Sequence, residues 1–544
     1  MSDAKNTPSD AQRDYKDTVF LPKTQFPMKA GLPQKEPGIE ARWREIDLYR
    51  QLREARAGRE KFILHDGPPY ANGDMHIGHA LNHILKDMVC RTQNLMGKDA
   101  PYVPGWDCHG LPIEWKVEEK YRKKKLNKDE VPAREFRAEC RAYAQHWVDT
   151  QREQLKRLGI MGDWDNPYLT MDAQAEGTIV SELLKFAEAG NLYRGSKPVM
   201  WSPVEKTALA EAEVEYEDLT DSPQIDVAFE IVECPNVPEL VGAHAVIWTT
   251  TPWTIPVNQA IAYGADVEYV LVKSNLSMKF PDTGEMAQLE LGKTEGRAFL
   301  VAKELMRNFE KRITQDFVFG PGQEGMFTLE VLWAGKGSKL AGTVAKYPMA
   351  DRFPDSEFYT KPRPFLEGDF VTTESGTGLV HMSPDHGEDD FLLCKANGID
   401  PVFAVMDDGR YRDDWEWLGA DDLDADGKAR RRAVINKPFN APDGPICNDL
   451  RDAGALLSAS ADYSHSYPHS WRSKAKVIFR CTPQWFVPMD KPLFEHVDTP
   501  DEARWEDEGG SQEPRETLRH FAMSEIERVE FVPPKGKNRI GSMV

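Results

Sequence analysis

The chain has no run of roughly 18 consecutive apolar residues, so no segment reads as a membrane-spanning helix. Its first twenty residues lack the apolar core of a signal peptide and the arginine-rich, acid-poor texture of a transit peptide, which sets the expectation of a cytoplasmic protein. Cysteine is sparse: seven in 544 residues, at 90, 108, 140, 234, 394, 447 and 481, odd in number and never in a Cys-x-x-Cys pair. That argues against a disulfide framework and a zinc ribbon and leaves reduced, mostly buried thiols. Positive charge is in deficit, with 68 Lys and Arg against 89 Asp and Glu and a net charge of −21. Such a chain is no general nucleic-acid binder, because that work rests on phosphate neutralisation, and RNA contact needs a local basic face. Lys120-Tyr121-Arg122-Lys123-Lys124-Lys125-Leu126-Asn127-Lys128 is the best candidate, although a run of this kind is more often a solvated helix side. The apolar content of 40% is ample for sizeable cores, and the length suits about three domains.

The densest chemistry lies in His65-Asp66-Gly67-Pro68-Pro69-Tyr70-Ala71-Asn72-Gly73-Asp74-Met75-His76-Ile77-Gly78-His79. Phe62-Ile63-Leu64 predicts a short strand, Gly67-Pro68-Pro69 ends it, and from His79 the residues Leu81, Ile84, Leu85, Met88 and Val89 keep helical spacing. At a strand-turn-helix junction the first helical N–H groups and the macrodipole favour an anion. His76 and His79 would flank a phosphate, donating hydrogen bonds, with Gly78 leaving room between them. Taken alone, His-x-Gly-His is equally a helix start carrying two ordinary histidines.

The flanks decide between these. Pro68-Pro69-Tyr70-Ala71-Asn72-Gly73 followed by His76-Ile77-Gly78-His79 resembles the first signature of class I aminoacyl-tRNA synthetases, and Pro104-Gly105-Trp106-Asp107-Cys108-His109-Gly110-Leu111-Pro112-Ile113-Glu114 is similar to the matching segment of their isoleucyl branch. The resemblance runs from about Leu21 to the last residue. It implies an α/β fold: a Rossmann-like catalytic domain, incomplete here, with an inserted β-rich α+β editing domain. Residues 1–40 would be an N-terminal extension, 41–210 the first catalytic half, 211–442 the insertion and 443–544 a truncated return to the catalytic domain. By the same resemblance Asn72, Gly73, His76, Gly78 and His79 would bind ATP, with His76 and His79 catalytic, while Gly67, Pro68 and Asp107 would hold the amino acid, Asp107 pairing its ammonium. Cofactors would be ATP and Mg2+. Many relatives bind zinc after a Lys-Pro-Val-x-Trp run, but here Lys197-Pro198-Val199-Met200-Trp201 continues as Ser202-Pro203-Val204-Glu205, so no metal is expected there.

Residues 133–160 predict a helix closing on Gly159, and Ala173 to Ala189 a second one. From Glu211 the texture turns to short β-rich runs: 227–232, 245–249 and 269–272. Within them Trp248-Thr249-Thr250-Thr251-Pro252-Trp253-Thr254-Ile255-Pro256-Val257-Asn258 would pass alone for a threonine-rich edge strand. Gly376-Thr377-Gly378-Leu379-Val380-His381 and the following residues to Asp390 change that reading. Both strings resemble the two faces of the hydrolytic editing pocket of isoleucyl, valyl and leucyl synthetases. The resemblance implies that Asp390 binds the ammonium of a misattached amino acid, that His381 and Thr250 line the acyl pocket, and that Thr249, Thr251, Thr254 and Asn258 hold the terminal adenosine and a water. Asp385, His386 and Asp389 read as loop or cap residues. Isoleucine and valine differ by a methylene worth about 1–3 kcal/mol in an apolar pocket, and the isoleucyl enzymes are themselves the standard case for a second sieve.

Asp462 to Arg472 and Ile478 to Phe486 resemble the family's return to the nucleotide fold, and acidic Glu495 to Glu516 reads as a surface excursion. The second class I signature, Lys-Met-Ser-Lys-Ser, is absent; Ala522-Met523-Ser524-Glu525 does not replace it. The expected function is ATP-dependent attachment of isoleucine to its tRNA through isoleucyl-adenylate, with editing of valine-charged tRNA, in a monomeric chain that looks like a fragment unable to complete the reaction alone. The alternatives are a stand-alone editing hydrolase, an inactive paralogue binding nucleotide or tRNA, and a non-enzymatic binding protein on the same fold.

Overall fold

The computed structural model describes residues 16–20, 24–25, 29–279, 286–289, 294, 296–315, 324–418, 440–492 and 517–544. The expected excursion from Glu495 to Glu516 lies outside the described residues. The chain divides into two compact units, Met1–Leu183 and Leu184–Val544.

The first unit opens with α1 (Leu32–Glu45) and α2 (Leu48–Arg56), so the predicted boundary at residue 40 falls inside a helix. A parallel layer follows. Lys61 bridges Asp99, Tyr70 bridges Asp107, and β1 (Gly105–Trp106) pairs with β2 (Tyr168–Leu169), all in parallel. Parallel neighbours require crossovers, supplied by α3 (Ile77–Leu95) and then by α4 (Leu111–Lys123) with α5 (Ala133–Arg157). The predicted strand Phe62-Ile63-Leu64 is not assigned as one: Phe62 N–H donates to Asp99 O (2.9 Å), but bridges form only at Lys61 and Tyr70. Pro68 and Pro69 have no N–H to give and interrupt the ladder between them.

Helix α3 forms as its periodicity predicts, but its apolar row is not what it buries. Leu81, Leu85 and Met88 are exposed, whereas His83 and Cys90 are buried. His83 Nδ1 lies 3.5 Å from the Tyr102 hydroxyl, which donates to Asp66 Oδ2 (2.8 Å), and Asp66 pairs with Lys86. Burial, then the Lys86 charge, holds the His83 imidazole down to about 4. The core of this unit gathers Tyr102, Trp106, Ile113, Val148 and Leu155 beneath the layer. Helix α6 (Ala173–Glu188) follows β2 and buries no residue.

The second unit is built mainly of strands. β3 (Tyr193–Ser202) pairs with β4 (Thr207–Ala208) and, much later, with β16 (Ile478–Phe486) in a small antiparallel sheet. A larger mixed sheet, eleven-stranded among the described residues, takes β5 (Val214–Glu233), β6 (His244–Thr249), β7 (Ala260–Tyr263), β8 (Glu268–Lys279), β9 (Met286–Leu289), β10 (Ala298–Ala302), β11 (Glu324–Lys336), β12 (Val344–Ala345), β13 (Arg363–Glu367), β14 (Leu379–Met382) and β15 (Leu456–Ser470). β15 runs antiparallel to β5 from Leu456 opposite Val227 to Ser470 opposite Val214, so the chain after residue 443 returns along the strand that opened the β-rich region. The predicted runs 227–232, 245–249 and 269–272 lie in β5, β6 and β8. Helix α7 (Met306–Thr314) is fixed to this sheet by Arg312, which grips fully buried Asp226 through two bonds of 2.7 Å while Ser458 donates to the same carboxylate. Removing one partner of such a buried pair costs about 3–5 kcal/mol.

Candidate functional site

The first site is the N-terminus of α3. His76 is its N-cap, with extended backbone (φ −104°, ψ 174°). Its Nδ1 accepts from Gly78 N–H (3.1 Å), and His79 Nδ1 accepts from His76 N–H (3.3 Å). The two imidazoles thus form a reciprocal capping box, their rings 3.8 Å apart and tilted by 33°. Since both Nδ1 atoms accept, the neutral rings carry their protons on Nε2, and two N–H donors remain for a ligand. Burial, reinforced by the His76 ring, holds the His79 pKa below its ordinary value. Gly78 is required by this geometry: a Cβ there would sit 2.9 Å from His76 Cε1.

The loop before the helix is held from α5. Gly73 takes φ +89°, a region that favours glycine. Gln151 Nε2 donates to Gly73 O (2.7 Å) and Tyr70 O (3.2 Å), Gln154 Oε1 accepts from Met75 N–H (2.9 Å), and the Tyr143 hydroxyl donates to Asn72 Oδ1 (2.8 Å). Asn72 Nδ2 in turn donates to Pro112 O (3.2 Å). The amide of Asn72 is therefore engaged at both ends and braces the loop.

Asp107 stands beside it. Its N–H donates to Pro69 O and its carbonyl accepts from Ala71 N–H, both at 2.9 Å, which fixes the strand against the loop. Oδ1 accepts from His109 N–H (3.2 Å) and lies 3.5 Å from Thr170 Oγ1. The other carboxylate oxygen makes none of these bonds and is the atom available to an ammonium. Pro68 packs on Gly105, where a Cβ would come within 3.3 Å of the proline Cβ, and Gly67 is exposed. Next to Asp107, His109 Nε2 lies 3.1 Å from Glu176 Oε1, and Arg141 pairs with the same carboxylate.

The second site joins segments far apart in the chain. β6 ends at Thr249, a 3-10 turn spans Pro252–Val257, and β14 carries His381. Thr251 N–H donates to Thr249 Oγ1 (3.1 Å), Thr251 Oγ1 lies 3.4 Å from Thr254 Oγ1, and Thr254 Oγ1 meets His381 Nε2 at 3.0 Å. The Thr254 hydroxyl gives its proton to Thr251 O (2.8 Å), so His381 Nε2 must be the donor and its buried Nδ1 is left as an unpartnered acceptor. Burial, with His386 adding to it, pushes the His381 pKa down to about 4. Asp390 lies in the first turn of α8 (Glu388–Ala396), and its Oδ2 accepts from Ser383 N–H (2.6 Å), two residues beyond His381. Burial raises its pKa to about 7. Gly387 makes space for that carboxyl, since a Cβ would stand 2.8 Å from it.

Two further expected residues lie beside this chain of hydroxyls. Asn258 is fully buried, and its Nδ2 ties Ala260 O (2.8 Å) to Met382 O (3.4 Å), so it joins β7 to β14. Thr250 lies outside the hydroxyl chain and, with Thr251, Trp253, His465 and Tyr467, lines a cavity of about 200 Å³. Asp385 receives Val402 N–H (2.9 Å) and Phe403 N–H (2.6 Å) and staples that loop, while His386 Nδ1 bonds Phe479 O (2.7 Å).

The family model for tRNA synthetases class I (I, L, M and V) matches residues 38–544. The chain belongs to this family. The isoleucine–tRNA ligase of Zymomonas mobilis is 57% identical over 100% of the chain and 51% of its own length. Those of Gluconobacter oxydans and Agrobacterium fabrum are 44% and 46% identical, over 100% and 98% of the chain and 52% and 50% of their own lengths. The chain thus spans about half the length of the curated relatives it matches. In this synthetase chain, no group of three or more His, Cys, Asp or Glu side chains among the described residues is placed to hold a metal. Nor is any helix among them long and apolar enough to cross a membrane. Sequence reading missed Tyr143, Gln151, Gln154, Thr170 and Glu176, which brace the first site. Its one available signal was polar residues recurring at 143, 151 and 154 along an otherwise amphipathic helix.

Proposed function

We propose that the chain carries the amino-acid-activating site and a proofreading site of an isoleucine–tRNA ligase, on a Rossmann-like domain interrupted by an inserted editing domain over about 211–442. The observation that carries the activation reading is the reciprocal capping of His76 and His79, in a chain whose curated relatives are isoleucine–tRNA ligases. ATP phosphates would lie over the start of α3, taking the two Nε2–H donors and the first-turn amides. Asp107 would take the ammonium of isoleucine, whose carboxylate oxygen forms a bond to the α-phosphorus as the α–β phosphoanhydride bond breaks and pyrophosphate leaves. Positioning and electrostatic stabilisation carry the step. Mg2+, when bound, would neutralise the charge of the departing pyrophosphate.

The adenylate would then acylate the tRNA. In the second unit, the hydrogen bond from His381 Nε2 to Thr254 Oγ1 supports the editing reading, because it joins the threonine-rich and Gly-Thr-Gly segments. Asp390, once ionised, would hold the ammonium of a misattached valine for ester hydrolysis. The test is deacylation of valine-charged and isoleucine-charged isoleucine tRNA by this chain, beside isoleucine-dependent ATP–pyrophosphate exchange by the full-length gene product. Selective valine release, lost in Asp390→Ala, supports the proofreading half; absence of exchange overturns the activation half.

A further inference from the structure

Among the described residues the first unit buries two kinds of polar side chain: His83, behind α3, and one that reaches both halves of the proposed activation site. Gln151 belongs to the second. It is 1% exposed, and three hydrogen bonds use its amide. Nε2 donates to Tyr70 O and Gly73 O, the carbonyls that open and close the turn carrying Asn72. Oε1 accepts from Trp106 Nε1 at 2.9 Å, and Trp106 is fully buried and immediately precedes Asp107. One side chain therefore spans the loop that leads to His76 and the strand that presents Asp107. We infer that Gln151 is a positioning residue that sets the spacing between the phosphate site and the ammonium site. The inference rests on the activation reading above.

The argument is geometric. Attack in line requires the carboxylate oxygen and the α-phosphorus to meet at about 3–3.5 Å, and a misplacement near 1 Å costs about 100-fold in rate. One substrate is held by the helix start and the other by Asp107, so the spacing between them is a property of neither alone. The backbone bridge between Tyr70 and Asp107 fixes the two segments at one point. A single bridge leaves the loop free to pivot about it. Gln151 supplies contacts on either side of that point, to Tyr70 and Gly73 on the loop and to Trp106 on the strand, and removes the pivot. Gln154 and Tyr143, on the same helix, hold Met75 and Asn72 and extend the restraint toward His76. Each substrate meets its own contacts whether or not the two half-sites are in register. Loss of Gln151 therefore acts on the turnover of the joint complex rather than on either affinity.

The test is pyrophosphate exchange by the full-length gene product carrying Gln151→Met, Gln151→Glu or Trp106→Phe. The methionine variant keeps the volume and loses the three bonds; the glutamate variant keeps an acceptor for Trp106 and loses the donors to the loop. Both are expected to lower kcat about 100-fold while the KM values for ATP and isoleucine each stay within about threefold. Trp106→Phe, which cuts the bond to the strand and leaves both loop bonds in place, restores the pivot and is expected to lower kcat as the Gln151 variants do, by about 100-fold. The far-ultraviolet circular dichroism spectrum below the thermal transition reports the folding of both units and is expected unchanged in all three. A kcat near wild type in both Gln151 variants overturns the inference. So does a loss expressed as raised KM, or one accompanied by a changed spectrum, since a merely structural role predicts that pattern. If the unaltered protein shows no isoleucine-dependent exchange, it is the activation reading that falls.

Discussion

The two candidate sites are assembled on opposite principles. At the start of α3, four consecutive residues make the site: His76 and His79 cap each other's backbone, and Gly78 gives the ring of His76 its place. In the second unit, Thr254 and His381 are 127 residues apart and meet only because β14 pairs with β7 just beyond the threonine-rich turn. The first site is half-open and its histidines lie near the surface, whereas the second is buried and its ionisable groups are displaced, His381 down to about 4 and Asp390 up to about 7. A site written locally can be disabled without touching the fold. A site written by packing shares its residues with the core.

The sharpest way to break the comparison is Gly78→Ala. Alanine favours the helix by about 0.5–1 kcal/mol, but its Cβ displaces the His76 ring and uncouples the capping box. Pyrophosphate exchange should fall about 100-fold while the thermal midpoint holds or rises; a parallel loss of both would show that the local site is not separable from the fold. The next effect is the pH dependence of the second site. Deacylation of valine-charged tRNA should rise as pH climbs through about 7, where Asp390 becomes ionised, and Asp390→Asn should abolish both the activity and that rise. Deacylation that stays flat from pH 6 to 8 would remove Asp390 from the ammonium-binding role.

Stability gives a smaller signal with a defined sign. His381 titrates at about 4 when folded and near its ordinary value of about 6.5 when unfolded, so the unfolded chain binds the extra proton between those limits. Its contribution is present above about 6.5 and is lost as pH falls toward 4, which urea unfolding at stepped pH would read. Thr254→Val leaves His381 Nε2 unpaired and should cost about 1–3 kcal/mol in the same assay. The smallest effect is expected at the basic run: Arg122, itself exposed, pairs with Glu118 one turn away, and Arg122→Ala should change stability by no more than about 0.5 kcal/mol. A larger loss of tRNA binding than of stability there would mark the run as an RNA contact after all.

The helices α3, α5 and α6 were legible from period and caps, and β5, β6 and β8 from their β-branched runs. The strand at Phe62 was not, since two prolines downstream break the ladder that its apolar residues suggested. The row Leu81, Leu85 and Met88 was legible as helix but not as surface. Spacing shows which residues share a face and leaves open what covers it. Asn258 was legible as part of an unusual string and not as a buried tie between β7 and β14.

The sequence by itself determined the identity of the local chemistry: a glycine between two histidines, a proline-rich turn, an aspartate after Trp106, threonines beside a proline turn. These depend on bonds between near neighbours, which a linear string records. Tertiary structure alone decided which polar groups became braces: Gln151 linking loop to strand, Asp226 holding Arg312, His381 meeting Thr254. Those partners lie tens to more than a hundred residues apart. Burial makes each unpaired polar group costly, so the fold has to bring together donors and acceptors whose distance in sequence carries no trace of the pairing.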